Sequence, residues 1–123
     1  MMDEMGNYEI FDLNDVIADY PPDPNTAAKH RAEILVKSDT LRVVLVTSLA
    51  GGRLHDHSAP GPITIHVLSG QFTLTIENEE RVMDAGSIAV AKPGVRHAVE
   101  CTQDGAFLLT IAHMSRIPDT GAE

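Results

Sequence analysis

The sequence predicts one all-β domain in which two sheets close into a barrel of the jelly-roll kind. From residue 30 onward, short segments rich in Val, Ile and Leu recur, and Gly, Pro, Asn and Asp separate them at regular intervals. Several of these segments alternate apolar and polar residues with a period of two, as half-buried strands do. The length of 123 residues suits a single domain of this kind.

Residues 1–28 are predicted to form an acidic arm on the barrel. They hold seven of the 18 acidic residues and no Lys or Arg. A short helix is expected there, capped by Asp12 or Asn14, before a proline-rich stretch that breaks regular structure. One face of that helix would carry Leu13, Val16 and Ile17. The barrel is assigned to residues 29–115, and residues 116–123 are read as a C-terminal tail.

Eight strands are predicted in the barrel from their β-branched content and alternation. They span residues 32–37, 41–49, 63–68, 71–77, 81–84, 87–91, 96–101 and 106–114. Residues 50–62 are rich in Gly and Pro and are predicted to be a loop. Ser69-Gly70 is expected to be a tight connection, and residues 102–105 a turn.

The net charge and the composition limit the kinds of molecule that the protein is expected to bind. The formal net charge of −9 repels phosphate backbones and anionic lipid surfaces, so neither nucleic acid nor a membrane is expected as a partner. The longest apolar runs have four residues, far below the roughly 20 that a membrane-spanning helix needs. The N-terminus does not resemble a signal peptide, and Cys101 is the single cysteine. A cytoplasmic protein without an intrachain disulfide is therefore expected.

Glycines and histidines stand at fixed intervals in two stretches of the barrel. The first stretch contains Gly51, His57 and Gly70, and the second contains Gly86, Gly94 and His97. This spacing resembles, without a gap, the two motifs of the cupin family, G-x5-H-x-H-x3-E-x6-G and G-x5-P-x-G-x2-H-x3-N. The resemblance covers about residues 30–114 and implies a cupin-like β-barrel. Small cupins commonly form homodimers, and the apolar residues of the acidic arm would give such a dimer something to bury.

The departures from these motifs concern the metal ligands. In the family, three His and one Glu hold a divalent metal inside the barrel. Here Ala59 stands at the second His position and Ile63 at the Glu position, which leaves His57 and His97. A catalytic metal generally needs about three protein ligands, so a divalent transition metal (Zn, Ni, Mn, Fe or Cu) is expected to be weakly held.

Other side chains are weighed as replacement ligands. His55 lies two residues before His57, so both point the same way in an extended segment, and His55 is the third predicted ligand. His66 is turned to the opposite face by strand parity. His113 shares a face with Phe107 and Leu109 and is within reach of the interior, although a simple strand-end role is favoured. Cys101 shares a face with His97 and is interpreted first as a small buried hydrophobe, and second as a soft ligand or a reactive thiol beside His97.

Three functional readings remain open. In the first, a metal at the reduced His site supports oxygenation or isomerisation of a small organic molecule. In the second, the barrel is a metal-free binding module for an apolar or mildly anionic metabolite. In the third, the histidines act as acid and base without metal. The first is favoured because His57 and His97 both persist. The substrate would lie against an apolar wall formed by Ile63, Val99, Phe107 and Leu109.

Overall fold

The structure is a computed structural model that describes residues 7–112, with residues 56 and 57 described by their backbone alone. It contains one helix and seven strands within that range. The helix is α1 (Leu13–Asp19), and the strands are β1 (His30–Lys37), β2 (Leu41–Ser48), β3 (Arg53–His57), β4 (Ile63–Ile76), β5 (Glu79–Asp84), β6 (Ile88–Ala91) and β7 (His97–Ala112). The predicted all-β class with a short helical arm is confirmed.

The strands form two antiparallel layers because β4 and β7 are long enough to cross from one to the other. The second half of β7 pairs with β2 and with the first half of β4, and β1 and β6 complete this first sheet. The first half of β7 pairs with β3 and with the second half of β4, and β5 completes the second sheet. The two-sheet barrel predicted from the strand pattern is therefore present.

Two segments that the sequence predicts to be connections between strands lie instead at the corner where β4 and β7 pass from one sheet to the other. Ser69-Gly70 and residues 102–105 were expected to end strands, but both lie inside continuous strands. Gly70 adopts a φ of +73°, and a Cβ placed there would overlap the backbone carbonyl oxygen of Asp104. A Cβ on Gly105 would overlap the carbonyl oxygen of Ser69. These glycines allow two backbones to approach closely, which a local sequence pattern does not distinguish from a turn.

The predicted loop at residues 50–62 is wrong for residues 53–57, which form β3. Arg53 pairs with Glu100 and Leu54 pairs with Val99, so the strand exists because β7 provides backbone partners for it. Its flanking glycines and prolines gave the whole stretch the composition of a loop. Non-local pairing thus overrides local propensity here.

The acidic arm packs on the outside of the first sheet. Asp12 caps α1 by accepting hydrogen bonds from the backbone N–H groups of Asn14 and Asp15, at 3.0 and 3.2 Å. The predicted apolar face of the helix contacts a cluster of sheet residues that is separate from the barrel interior. This cluster contains Leu35, Val36, Leu45 and Ala106, with Phe11, Leu13, Val16 and Ile17 packed against it.

The interior of the barrel is a second, larger apolar cluster between the two sheets. Phe72 and Phe107 lie at its centre, both 1% exposed, with ring centroids 5.0 Å apart in an edge-to-face arrangement.

In the described part of the chain, no helix has both the length and the apolar content needed to cross a membrane.

Candidate functional site

A cavity of about 170 Å³ lies inside the barrel, between the two sheets. Its lining is Leu54, Ser58, Ala59, Ile63, Ile65, His97, Val99, Phe107, Leu109 and Ile111. The structure therefore brings all four residues of the predicted apolar wall into one cavity. Their role in binding stays a prediction, but their convergence follows from strand parity, since β4 and β7 present alternate residues to the interior.

Among the side chains that the structure describes, His97 is the one ionisable group that lines this cavity. It begins β7 and is 8% exposed. Its Nδ1 lies 3.2 Å from the carbonyl oxygen of Val95, so Nδ1 carries a proton and donates to that oxygen. In the neutral ring this tautomer makes Nε2 the nitrogen that carries the lone pair.

His57 lies opposite His97 in the backbone register between β3 and β7. The main chain thus places the two residues side by side, and the predicted convergence of their side chains stays a prediction, because the structure does not describe the His57 side chain. His55 is exposed and does not line the cavity, so the structure does not bring it to His97. His66 lies on the outer face of β4, as its parity predicted, and His113 lies outside the described residues.

The positions at which the family carries its other ligands do face the cavity. Ala59 and Ile63 both line it, together with His97. Ile63 is 3% exposed and belongs to the interior cluster, so apolar surface occupies the place of a carboxylate. Among the side chains that the structure describes, no group of three His, Cys, Asp or Glu residues is close enough to share an ion. This described donor set does not fit a firmly held metal.

Cys101 faces the interior on β7, as predicted, and is 1% exposed. Its Sγ lies 3.1 Å from the carbonyl oxygen of Gln103 and 3.7 Å from that of Ser48. Burial away from water is the main cause that raises the pKa of the Cys101 thiol, so it stays protonated near neutral pH. The reading of Cys101 as a small buried hydrophobe is therefore favoured over a reactive thiol.

Sequence reasoning did not assign several wall residues to the site. Leu54 lies in a segment whose composition predicts a loop, whereas its pairing with Val99 turns both side chains into the cavity. Ile65 and Ile111 were within reach of a parity argument, since each lies two residues from a predicted wall residue. Ser58, which directly follows β3, has no sequence pattern that distinguishes it from other loop residues.

Comparison with known proteins agrees with the observed fold. A family model described as "Cupin domain" matches residues 44–113, which is more than half of the chain. No curated protein is significantly similar in sequence to this chain.

Solved structures resemble the barrel closely in shape. A cupin superfamily protein from Desulfitobacterium hafniense aligns with a TM-score of 0.73 at 13% identity, covering 80% of this chain and 87% of that one. An RmlC-like cupin from Desulfovibrio desulfuricans aligns with a TM-score of 0.64 at 28% identity, covering 68% and 82%. A conserved protein of unknown function from Streptococcus pyogenes aligns at 0.67 and 24% identity, covering 72% and 77%. At these identities the likeness concerns the fold.

Proposed function

The chain belongs to the cupin domain family, and from that premise we propose that its barrel binds a small, mainly apolar organic molecule beside His97. The observation that carries the proposal is the composition of the described part of the cavity wall, in which aliphatic and aromatic side chains surround the imidazole of His97. Binding sites for small molecules are typically of this kind, with an apolar wall and a few polar groups that fix orientation.

The size of the cavity limits the ligand. An apolar cavity of about 150 Å³ is sufficient to hold benzene, and this one measures about 170 Å³. A ligand enclosed here would be a single ring or a short branched chain with one or two polar substituents. The imidazole of His97, held by its hydrogen bond to Val95, would orient one of those substituents.

A cavity-filling variant tests the proposal. Phenol is added to the wild type and to Ala59→Leu, and the melting temperature is measured at increasing phenol concentration. Because a ligand stabilises only the state that binds it, the melting temperature of the wild type should rise with concentration. Ala59→Leu, whose added carbons enter the cavity, should lose that response.

Ala32→Leu is the matched control, because Ala32 is exposed on β1 and does not line the cavity. It should respond to phenol as the wild type does. A wild type that does not respond, or an Ala59→Leu variant that responds equally, would contradict the proposal.

A weakly bound metal at His57 and His97 is the second candidate, and the backbone register that pairs these two residues favours it. Such an ion would be a Lewis acid toward the ligand in the cavity, which is the reading that the sequence favoured. Two imidazoles are fewer ligands than a firmly held ion usually has, so we expect loss of any metal on chelation without unfolding.

Nickel or zinc titration of the wild type, His97→Ala and His66→Ala separates this candidate from metal-free binding. His66→Ala is the control, since that imidazole lies on the outer face of β4. Binding that is lost only in His97→Ala supports the metal candidate. Binding that is absent, or that is equally strong in all three proteins, contradicts it.

A further inference from the structure

One cation lies in the same cross-strand row as two residues that line the cavity, one strand beyond them and not itself part of the lining. Arg42 on β2 pairs with Ile111 on β7, and Ile111 pairs with Ile63 on β4. Residues paired directly across antiparallel strands project to the same face. Ile111 and Ile63 both line the cavity, so Arg42 continues their row on the inner face of the first sheet.

The alternation along β2 gives the same orientation independently. Val44 and Val46 belong to the interior cluster, and Leu45 between them belongs to the outer cluster beneath the arm. Arg42 has the parity of the two valines, so it too faces inward. The next residue in its row is Lys37 on β1, which adds a second positive charge at this end of the sheet.

The guanidinium of Arg42 has an unusual environment. Its Nε is buried, and it has no hydrogen-bond partner among the described residues. A buried N–H group without a partner costs free energy, and a charged one costs more, because water no longer solvates it. An arginine in such a place is suited to a planar anion, which accepts hydrogen bonds from Nε and Nη together.

We propose that the cavity ligand carries a carboxylate, and that Arg42 pairs with it while the apolar body of the ligand lies against Ile63, Ile111 and their neighbours. This inference rests on the proposed function, because it names the chemical class of ligand that the same cavity takes. The net charge of −9 gives the protein as a whole no attraction for anions. Selection of a carboxylate therefore needs a local, partly desolvated cation, and Arg42 provides it.

The experiment compares two probes of similar size that differ in charge, benzoate and benzyl alcohol. Their dissociation constants are measured at pH 7.5 for the wild type, Arg42→Gln, Arg42→Lys and Arg81→Gln. Arg81→Gln is the matched control, since Arg81 is exposed and forms its ion pair with Glu79 at 2.7 Å. Hydrogen bonds to charged groups predict that the wild type binds benzoate at least about tenfold more tightly than benzyl alcohol.

This preference should disappear in Arg42→Gln, be partly kept in Arg42→Lys and be unchanged in Arg81→Gln. Binding of benzyl alcohol should be similar in all four proteins, which also shows that the variants keep a folded cavity. Equal affinity of the wild type for both probes, or a benzoate preference that survives in Arg42→Gln, would overturn the role of Arg42 and leave the proposed function intact. A wild type that binds neither probe would overturn both.

Discussion

Substitution of Ile63 by Glu tests whether the cavity is a dry apolar site. Ile63 is 3% exposed and lines the cavity, whereas Ile88 on β6 is 58% exposed. Loss of the buried Ile side chain costs about 1.5–3 kcal/mol, and burial of a neutral carboxyl in its place costs about 1–3 kcal/mol more. We therefore expect Ile63→Glu to lose about 2.5–6 kcal/mol of unfolding free energy. Ile88→Glu should change it by no more than about 0.5 kcal/mol.

The pH dependence of Ile63→Glu gives a second signature. A Glu carboxyl in the unfolded chain titrates near about pH 4.3, and burial raises its pKa in the folded state. At a pH between the pKa of the unfolded chain and the higher pKa of the folded state, the folded state holds more protons than the unfolded state. The unfolding free energy of the variant therefore falls as the pH rises. The deficit relative to wild type should be smallest below about pH 4 and should grow through the neutral range.

The measurement is chemical denaturation of the wild type and both variants from pH 4 upward, with thermal melts beside it. A loss of this size should lower the melting temperature of a chain of this length by about 10–20 °C. Equal stability of Ile63→Glu and Ile88→Glu, or a deficit that is independent of pH, would show that position 63 does not lie in a dry interior.

Addition of Ala59→His to Ile63→Glu extends the test to the metal. The double variant places an imidazole and a carboxylate in the same cavity as His97, so Zn²⁺ or Ni²⁺ should restore part of the lost stability. At a free metal concentration 100 times the dissociation constant, this recovery is about 2.7 kcal/mol. A double variant whose melting temperature does not respond to metal would show that positions 59, 63 and 97 do not converge on one point.

Three further predictions concern the corner, the arm and the thiol. Gly105→Ala should destabilise the protein strongly in a thermal melt, because the new Cβ overlaps a backbone carbonyl of the crossing strand. Gly86→Ala, which has open space but a φ of +93°, should cost only about 1 kcal/mol of backbone strain. Phe11→Ala should lower the urea midpoint by removing a contact of the arm with the sheet, while Ile10→Ala, at an 84% exposed position, should leave it nearly unchanged. Cys101 should react with a thiol reagent only after denaturation, because it is buried and its pKa is raised; rapid labelling of the native protein would contradict this.

Much of the barrel could be predicted because its determinants are local. The alternation of Phe72, Leu74 and Ile76 with polar residues marks a strand that is half buried, and the structure contains that strand. The cap of α1 and its apolar face also follow from residues within one turn of each other. The spacing of the cupin motifs, combined with strand parity, predicted that Ile63 and Val99 face the same interior as His97, and both line the cavity.

The elements that could not be predicted depend on partners distant in the sequence. β3 has a loop-like composition and exists through its pairing with β7, and the corner at Gly70 looks like a turn until the crossing strand is known. Arg42 was one polar residue at the start of a strongly apolar strand. Arg42 became a candidate ligand-binding residue for two reasons. Its cross-strand neighbour Ile111 lines the cavity, and its Nε has no hydrogen-bond partner among the described residues. Neither feature can be predicted from the order of residues along the strand.

The central position of β7 has a consequence for how the chain acquires its structure. This strand pairs with β2, β3 and β4, and it follows all of them in the sequence. During synthesis, the apolar faces of the earlier strands must remain without their shared partner until the residues up to Ala112 have left the ribosome. Assembly is therefore expected to be late and cooperative, since non-local pairing must wait for loop closure. A nascent chain arrested before His97 should remain sensitive to protease, and the same chain extended through Ala112 should become resistant in a single step.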